Sequence, residues 1–312
     1  MTVLTSDTLR RLPGMLDGHG DELATLTLGG QTFALPIAAI VAVLDPVLLA
    51  HEPDRDGTHW IGTLASRGGT IPVADGRVVY ALDTEKPIGK IIVLRGEPLF
   101  ALAVDDLLGS IRPGDGATRA LPPLCGSGDN LLLDAAVWND GELLLRIDPS
   151  ALLSWLVTPA GTTAESAGTT MPSPEPGRDS RALLLEIDGE PYGLPVSWVR
   201  QISDDRVPVH LPRADAAIAG LVAWEGAPIP AFDGHLLLGL APADREQGML
   251  VVIGSPRDAN GVLPAPLAAL RVGAVIGVTV VAEWQADAIL LANGRSVRPF
   301  DVHAILNLAS PR

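Results

Sequence analysis

The stretch that decides the fold is Leu28-Gly29-Gly30-Gln31-Thr32-Phe33-Ala34-Leu35-Pro36-Ile37. It returns as Ile187-Asp188-Gly189-Glu190-Pro191-Tyr192-Gly193-Leu194-Pro195-Val196, at an offset of 187 − 28 = 159. Working outward, Gly68-Gly69-Thr70-Ile71-Pro72-Val73-Ala74-Asp75-Gly76 reappears as Gly226-Ala227-Pro228-Ile229-Pro230-Ala231-Phe232-Asp233-Gly234, at 226 − 68 = 158. Gly89-Lys90-Ile91-Ile92-Val93-Leu94 matches Gly248-Met249-Leu250-Val251-Val252-Ile253, and Asn139-Asp140-Gly141 matches Ala292-Asn293-Gly294. Asp148 and Leu152 then answer to Asp301 and Ile305, at 301 − 148 = 153. Four blocks in one order, with insertions only between them, mark a tandem duplication of one domain of roughly 130 residues. That is far longer than a solenoid repeat and long enough to hold its own core.

A chain of 312 residues fits two domains of ordinary size, and its 47% of hydrophobic residues can fill two cores. With 6 Trp, 4 Phe and 2 Tyr, packing rests mainly on Leu, Val, Ile and Ala. A formal charge of −15 argues against the electrostatic footprint of nucleic-acid or anionic-lipid binding and favours basic partner surfaces. Cys125 is the single cysteine, so neither an internal disulfide nor a thiolate zinc site can form. The most apolar stretches, Phe33 to Leu44 and Val272 to Ala282, are too short to span a bilayer. The first residues, with Asp7, Arg10, Arg11 and Pro13, lack the apolar core of a secretory signal, which makes a cytoplasmic protein without membrane insertion the expectation.

Between Thr158 and Ser180 large apolar residues give way to Gly, Thr, Ser, Pro and Glu, a composition that cannot offset its ordering entropy. The expected organisation is therefore a flexible leader over residues 1–20, with a short helix at Thr8 to Leu16, a first domain over 21–157, a linker over 158–180 and a second, diverged domain over 181–312. Within each repeat the apolar runs are short, β-rich and punctuated by Gly or Pro. They include Leu23 to Leu28, Thr70 to Ala74, Lys90 to Leu94, Leu99 to Val104 and Leu143 to Ile147. Asn139-Asp140-Gly141 and Asn293-Gly294 predict tight hairpin turns. Asp148 and Asp301 each predict a short closing helix with an acid at its N-cap. Short helices are also expected at Ile37 to Val43 and Val196 to Ile202, directly after each Leu-Pro pair. Many short strands with few helices give a mainly β fold, of barrels rather than open sheets.

No catalytic constellation stands out. Gly126-Ser127-Gly128 lacks the spacing of a nucleophile elbow, and neither a phosphate-binding loop, a dinucleotide fingerprint nor His-Glu-x-x-His occurs. The run from His51 to His59 holds two imidazoles and three carboxylates, but it contains Pro53 and Gly57 and has no counterpart in the second repeat. It reads as a solvated loop rather than a metal centre. Neither a metal nor a cofactor is expected. Asp75 and Asp233 recur just before glycine at the end of an apolar strand, where a carboxylate accepts backbone N–H bonds.

The blocks Gly30 to Ile37, Arg67 to Asp75, Ile91 to Leu94 with Leu102 to Asp105, and Asp148 to Leu153 resemble the CheW-like domain of bacterial chemotaxis, and the likeness extends through both repeats. That resemblance implies two small SH3-like β-barrels per repeat with a few short helices. It also implies a non-enzymatic adaptor that bridges the regulatory domain of a CheA-type histidine kinase and the cytoplasmic tip of chemoreceptors, recruited to membrane receptor arrays. The family carries Leu-Arg-Gly before its Ile-Pro strand and Asp-Leu-Arg after it. The first repeat has Ser66-Arg67-Gly68 and Asp75-Gly76-Arg77, keeping both arginines; the second has Trp224-Glu225-Gly226 and Asp233-Gly234-His235. The candidate partner-binding residues implied are Arg67, Gly68, Asp75 and Arg77, with Glu225 and His235 marking a second copy whose partner is lost or changed. Glu presents acceptors where Arg presents donors. The second repeat also has Arg271-Val272-Gly273 in place of Ala103-Val104-Asp105. A different class of reading is a small-molecule sensor that uses an apolar pocket between subdomains.

Overall fold

The computed structural model describes residues 21–51, 59–66, 69–82, 86–122, 132–157, 180–204, 207–214, 217–241, 248–256 and 267–309. The expected leader and its short helix, the linker up to residue 179, Cys125, residues 52–58 of the His51 to His59 run, and Arg67 with Gly68 all lie outside the described residues.

The chain divides into two compact units. In the first, the elements are β1 (Leu23–Leu28), β2 (Gln31–Pro36), β3 (Ile40–Leu44), β4 (Ala50–His51), β5 (Trp60–Ser66), β6 (Gly69–Asp75), α1 (Gly76–Val79), β7 (Lys90–Leu94), β8 (Phe100–Val104), β9 (Asp106–Ile111), β10 (Thr118–Ala120), β11 (Leu133–Asn139), β12 (Glu142–Ile147) and α2 (Pro149–Val157). They form two six-stranded sheets, ordered β10-β11-β12-β2-β1-β9 and β3-β7-β8-β6-β5-β4. In the second unit, β13 (Arg181–Ile187), β14 (Glu190–Pro195), β20 (Ala274–Trp284), β21 (Ile289–Leu291) and β22 (Ser296–Pro299) close into a barrel. Its other sheet runs β15 (Val199–Ser203), β18 (Met249–Gly254), β19 (Leu267–Val272), β17 (Ala227–Asp233) and β16 (Ile218–Trp224), with α3 (Gly234–Leu237) after β17 and α4 (Val302–Ala309) after β22. The fold is mainly β, as the strand-rich sequence predicts.

Burial explains which runs become central strands. β7 and β8 lie side by side within their sheet, and Ile91, Ile92, Val93, Leu94 and Phe100 to Val104 are buried on both faces. Such strands read as continuous apolar runs, whereas β9 alternates between exposed and half-buried residues. Barrel closure differs between the units for a local reason. β20 is unbroken, pairing with β13 through Ala274 to Val280 and with β21 through Val281 to Trp284. The first unit divides this path between β9 and β10, so its sheet ends on those two strands and stays open.

The helices expected at Ile37 to Val43 and Val196 to Ile202 are corrected. Only the single turns Ile37–Ala39 and Val196–Trp198 are helical, of the 3-10 kind, and the chain then enters β3 and β15. The β-branched Ile40, Val41, Val43, Val199 and Ile202 favour extended backbone, and their strands pair with β7 and β18. The signals at Asp140-Gly141, Asp148 and Asp301 hold. Asp140 and Gly141 take φ of 49° and 87°, the two positive angles of a tight hairpin. Asp148 Oδ1 accepts from Ser150 N at 2.8 Å and Ala151 N at 3.2 Å, and Asp301 Oδ1 accepts from Ala304 N at 3.0 Å.

One glycine fixes a bulge in each unit. Gly62 in β5 has φ of 156°, and a Cβ there would lie 2.2 Å from Ala50 O. Gly220 in β16 has φ of 147°, and its Cβ would lie 2.2 Å from Val209 O. These contacts sit beside the pairing of β4 with β5 and the isolated bridge from Val209 to Leu221. Gly62→Ala is expected to cost about 3 kcal/mol in urea unfolding, by steric conflict with backbone that cannot yield. Gly109→Ala, in open space on β9, should change stability by less than about 1 kcal/mol. Equal effects of the two changes would contradict the bulge assignment.

The closing helices reach their neighbours through different aromatic contacts. In the first unit His59 lies with its ring centroid 4.8 Å from each of Trp60 and Trp155. In the second, His303 of α4 meets Trp198 edge-on at 4.5 Å. Burial pushes the His303 imidazole below the ordinary histidine value of 6.5, with Asp301 opposing. The unfolded chain therefore binds its proton first as pH falls, so stability is present above about 6.5 and is lost as pH drops toward the lower folded value. The second unit should melt at lower temperature at pH 5 than at pH 7.5, and His303→Gln should reduce that difference. An unchanged pH dependence in the variant would remove His303 as its source.

Candidate functional site

In the first unit the candidate residues fall at the two ends of β6. At one end Ser66 and Gly69 are register partners, the described residues that flank Arg67 and Gly68 in sequence. At the other end stands Asp75, six residues along the strand and roughly 20 Å away at the usual rise. The second unit repeats this layout. Glu225 and Gly226, with φ of 47° and 76°, form a tight turn between β16 and β17, and Glu225 is exposed to solvent. Asp233 and His235 lie at the far end of β17. The structure thus brings Asp75 together with Arg77 and Asp233 with His235, but joins neither pair to its hairpin turn.

Asp75 caps α1, accepting from Arg77 N at 2.9 Å. The Arg77 side chain folds back on the same carboxylate. Nε donates to Oδ1 at 2.9 Å and Nη2 to Oδ2 at 2.7 Å, while Nη1 donates to Lys86 O at 2.6 Å. This forked pair is largely enclosed, with side-chain exposures of 16% and 11%. Donation to the Asp75 carboxylate raises the Arg77 pKa above its ordinary value; burial opposes it, and the charges of Asp75 and Asp105 add to it. Asp105 is itself buried, and its Oδ2 accepts from Gly30 N at 3.3 Å in the β1–β2 turn.

The second unit keeps the cap and changes the counter-charge. Asp233 Oδ1 accepts from His235 N at 2.8 Å and Leu236 N at 3.4 Å, but His235 Nδ1 stays 3.6 Å from Oδ1, too long for a hydrogen bond. Gly273 occupies the position of Asp105: Gly273 N donates to Glu186 O as Asp105 N donates to Thr27 O, both at 3.0 Å. Buried Arg271 is the register partner of Asp233, where Ala103 is the partner of Asp75. The arginine has moved from the residue after the glycine to the neighbouring strand. Sequence comparison of the repeats showed each of these differences, but not that they gather around one carboxylate.

A glycine follows each aspartate for a steric reason. A Cβ on Gly76 would lie 2.7 Å from Leu28 Cδ2 and 2.8 Å from Ala103 O; on Gly234 it would lie 3.1 Å from Ile187 Cδ1 and 2.8 Å from Arg271 O. The neighbours are equivalent in the two repeats. No group of three or more His, Cys, Asp or Glu that could hold a metal occurs among the described residues.

The chain is matched by the model of the CheW-like domain family, over residues 22–157 and again over 181–309, and belongs to that family. Among solved structures it is similar to the scaffolding protein TtCheW from Thermoanaerobacter tengcongensis, with 19% sequence identity and a TM-score of 0.37, covering 41% of this chain and 89% of that one. No curated protein matches the chain. No helix among the described residues is long and apolar enough to cross a membrane.

Removing Arg77 leaves the Asp75 carboxylate enclosed without its forked partner, so Arg77→Met is expected to destabilise the protein by about 2 kcal/mol in urea unfolding. His235→Met should cost less than about 1 kcal/mol, because the Asp233 cap is made by backbone donors. The reverse order would contradict the assignment of Arg77 as the chief counter-charge.

Proposed function

We propose that the protein is a non-enzymatic adaptor of chemotactic signalling, coupling the regulatory domain of a CheA-type histidine kinase to the cytoplasmic tip of chemoreceptors and recruited from the cytoplasm to receptor arrays. Membership of the CheW-like family over both repeats is the observation that carries this reading. The first repeat is the coupling domain. Its candidate contact is Arg67 with Gly68, a guanidinium beside residues without side chains where a partner backbone comes close. Asp75 and Arg77 act as positioning residues rather than contacts, because the Arg77 donors are engaged within the domain.

The second repeat presents exposed Glu225 at the equivalent turn, so a partner surface that offers carboxylates to Arg67 is repelled there. Its inherited contact is lost or redirected.

The test is calorimetry of the whole chain against the kinase regulatory domain. Arg67→Glu is expected to weaken binding by about 1 to 3 kcal/mol, the loss of a charge-assisted contact at an interface. Glu225→Ala should leave it unchanged. A folded Arg67→Glu protein that binds as tightly as the parent would remove Arg67 from the interface.

A further inference from the structure

The two repeats differ most in what they do with one corner beside α1 and α3. In the first unit that corner is filled. Tyr80, directly after α1, is fully buried, its ring centroid lies 5.5 Å from that of Phe33 on β2, and its hydroxyl donates to Leu132 O at 3.1 Å. Leu132 is fully buried as well and precedes β11. Leu145, opposite Phe33 in the parallel pairing of β12 and β2, completes the apolar plug.

Each of these groups has changed in the second unit. Leu238 stands in the place of Tyr80: its N–H donates to Gly234 O as that of Tyr80 donates to Gly76 O. It is 37% exposed, where Tyr80 is 0% exposed. The segment that carries Leu132 has no counterpart. The offset between repeats falls from 271 − 103 = 168 to 301 − 148 = 153 across this region, and β20 passes to β21 through Gln285 to Ala288 alone. Arg298 replaces Leu145 as the residue opposite the aromatic ring of β14, here Tyr192.

What remains is an open pocket of about 440 Å³ lined by Tyr192, Leu238, Leu240, Asp287, Arg298 and Pro299. That volume falls in the usual range for small-molecule sites. Tyr192, Leu238, Leu240 and Pro299 supply apolar lining. Asp287 and Arg298 are exposed charges of opposite sign, and neither has an ion-pair or hydrogen-bond partner among the described residues. A ligand that matches these features has an apolar body, an anionic group for Arg298 and a cationic group for Asp287. A simple anion would also meet the repulsion of a chain carrying −15.

We propose that the second repeat is a ligand-binding domain, whose pocket takes a small zwitterion with an apolar side chain, of the amino-acid class. Arg298 receives its carboxylate, Asp287 its ammonium group, and Leu238 with Tyr192 packs its apolar side chain. Loss of the plug and gain of the two charges turn a structural corner of the first repeat into a recognition site in the second. This site is independent of the coupling surface at Arg67.

The experiment is calorimetry and thermal unfolding of the whole chain with L-phenylalanine and L-leucine as probes. Phenethylamine and 3-phenylpropionate serve as controls that lack one charge each. The expected result is saturable binding of at least one amino acid, with a raised melting temperature. Each control should bind at least tenfold more weakly than phenylalanine, or not at all. Arg298→Ala and Asp287→Ala, at exposed positions, should each weaken the amino acid at least tenfold without changing the unliganded melting temperature. Leu238→Tyr, which restores the plugging residue, should abolish binding. No saturable binding by either amino acid overturns the proposal. So does equal binding of phenylalanine and 3-phenylpropionate, or undiminished binding in the folded Arg298→Ala protein.

Discussion

The aspartate–glycine corner at the end of β6, repeated at the end of β17, is the constraint on which each domain depends. The carboxylate of Asp75 or Asp233 turns the strand into a single helical turn by accepting the following backbone N–H groups. The glycine then lets that turn lie against the end of β1 or β13 and against the backbone of β8 or β19, where any side chain would collide. A side chain from one sheet, a carbonyl from the other and the helical turn meet at this point. No other residue type fits without moving a backbone, which is why this dipeptide persists while the charges around it differ.

Divergence has been tolerated where it leaves this corner intact. Arg77 supplies a permanent positive charge to Asp75 in the first unit; in the second, histidine occupies that place and an arginine, Arg271, stands beside Asp233 in register on the neighbouring strand. The backbone cap is kept while the side chains around the carboxylate change. In the hairpin turn between β16 and β17, Glu225 and Gly226 form a tight two-residue turn, and Glu225 carries the charge opposite to that of Arg67 at the matching place in the sequence.

Much of the fold was legible in the sequence because its signals are local. Ile91 to Leu94 reads as a strand buried on both faces, Asp140-Gly141 as a hairpin turn and Asp148 as a helix cap, each by the chemistry of the residues themselves. The turns after Pro36 and Pro195 misled, since Ala38 and Ala39 favour helix locally but the following β-branched residues pair with β7. Gly62 and Gly220 share the offset of their block, yet their need for glycine comes from Ala50 on β4 and from Val209 at an isolated bridge. The candidate residues were legible one at a time. That Asp75 and Arg77 form one enclosed unit, about a strand length from Ser66 and Gly69, depends on pairing register, and the corner emptied by replacing Tyr80 with Leu238 depends on a loop difference far along the chain.

The central claim is that a duplicated CheW-like scaffold acts as a bridge. Its most direct test is to mix the whole protein with the kinase regulatory domain and a soluble receptor tip, and to weigh the complex by light scattering after size separation. One species containing all three components is expected, absent when this protein is left out. A protein that remains alone in the presence of both would contradict it.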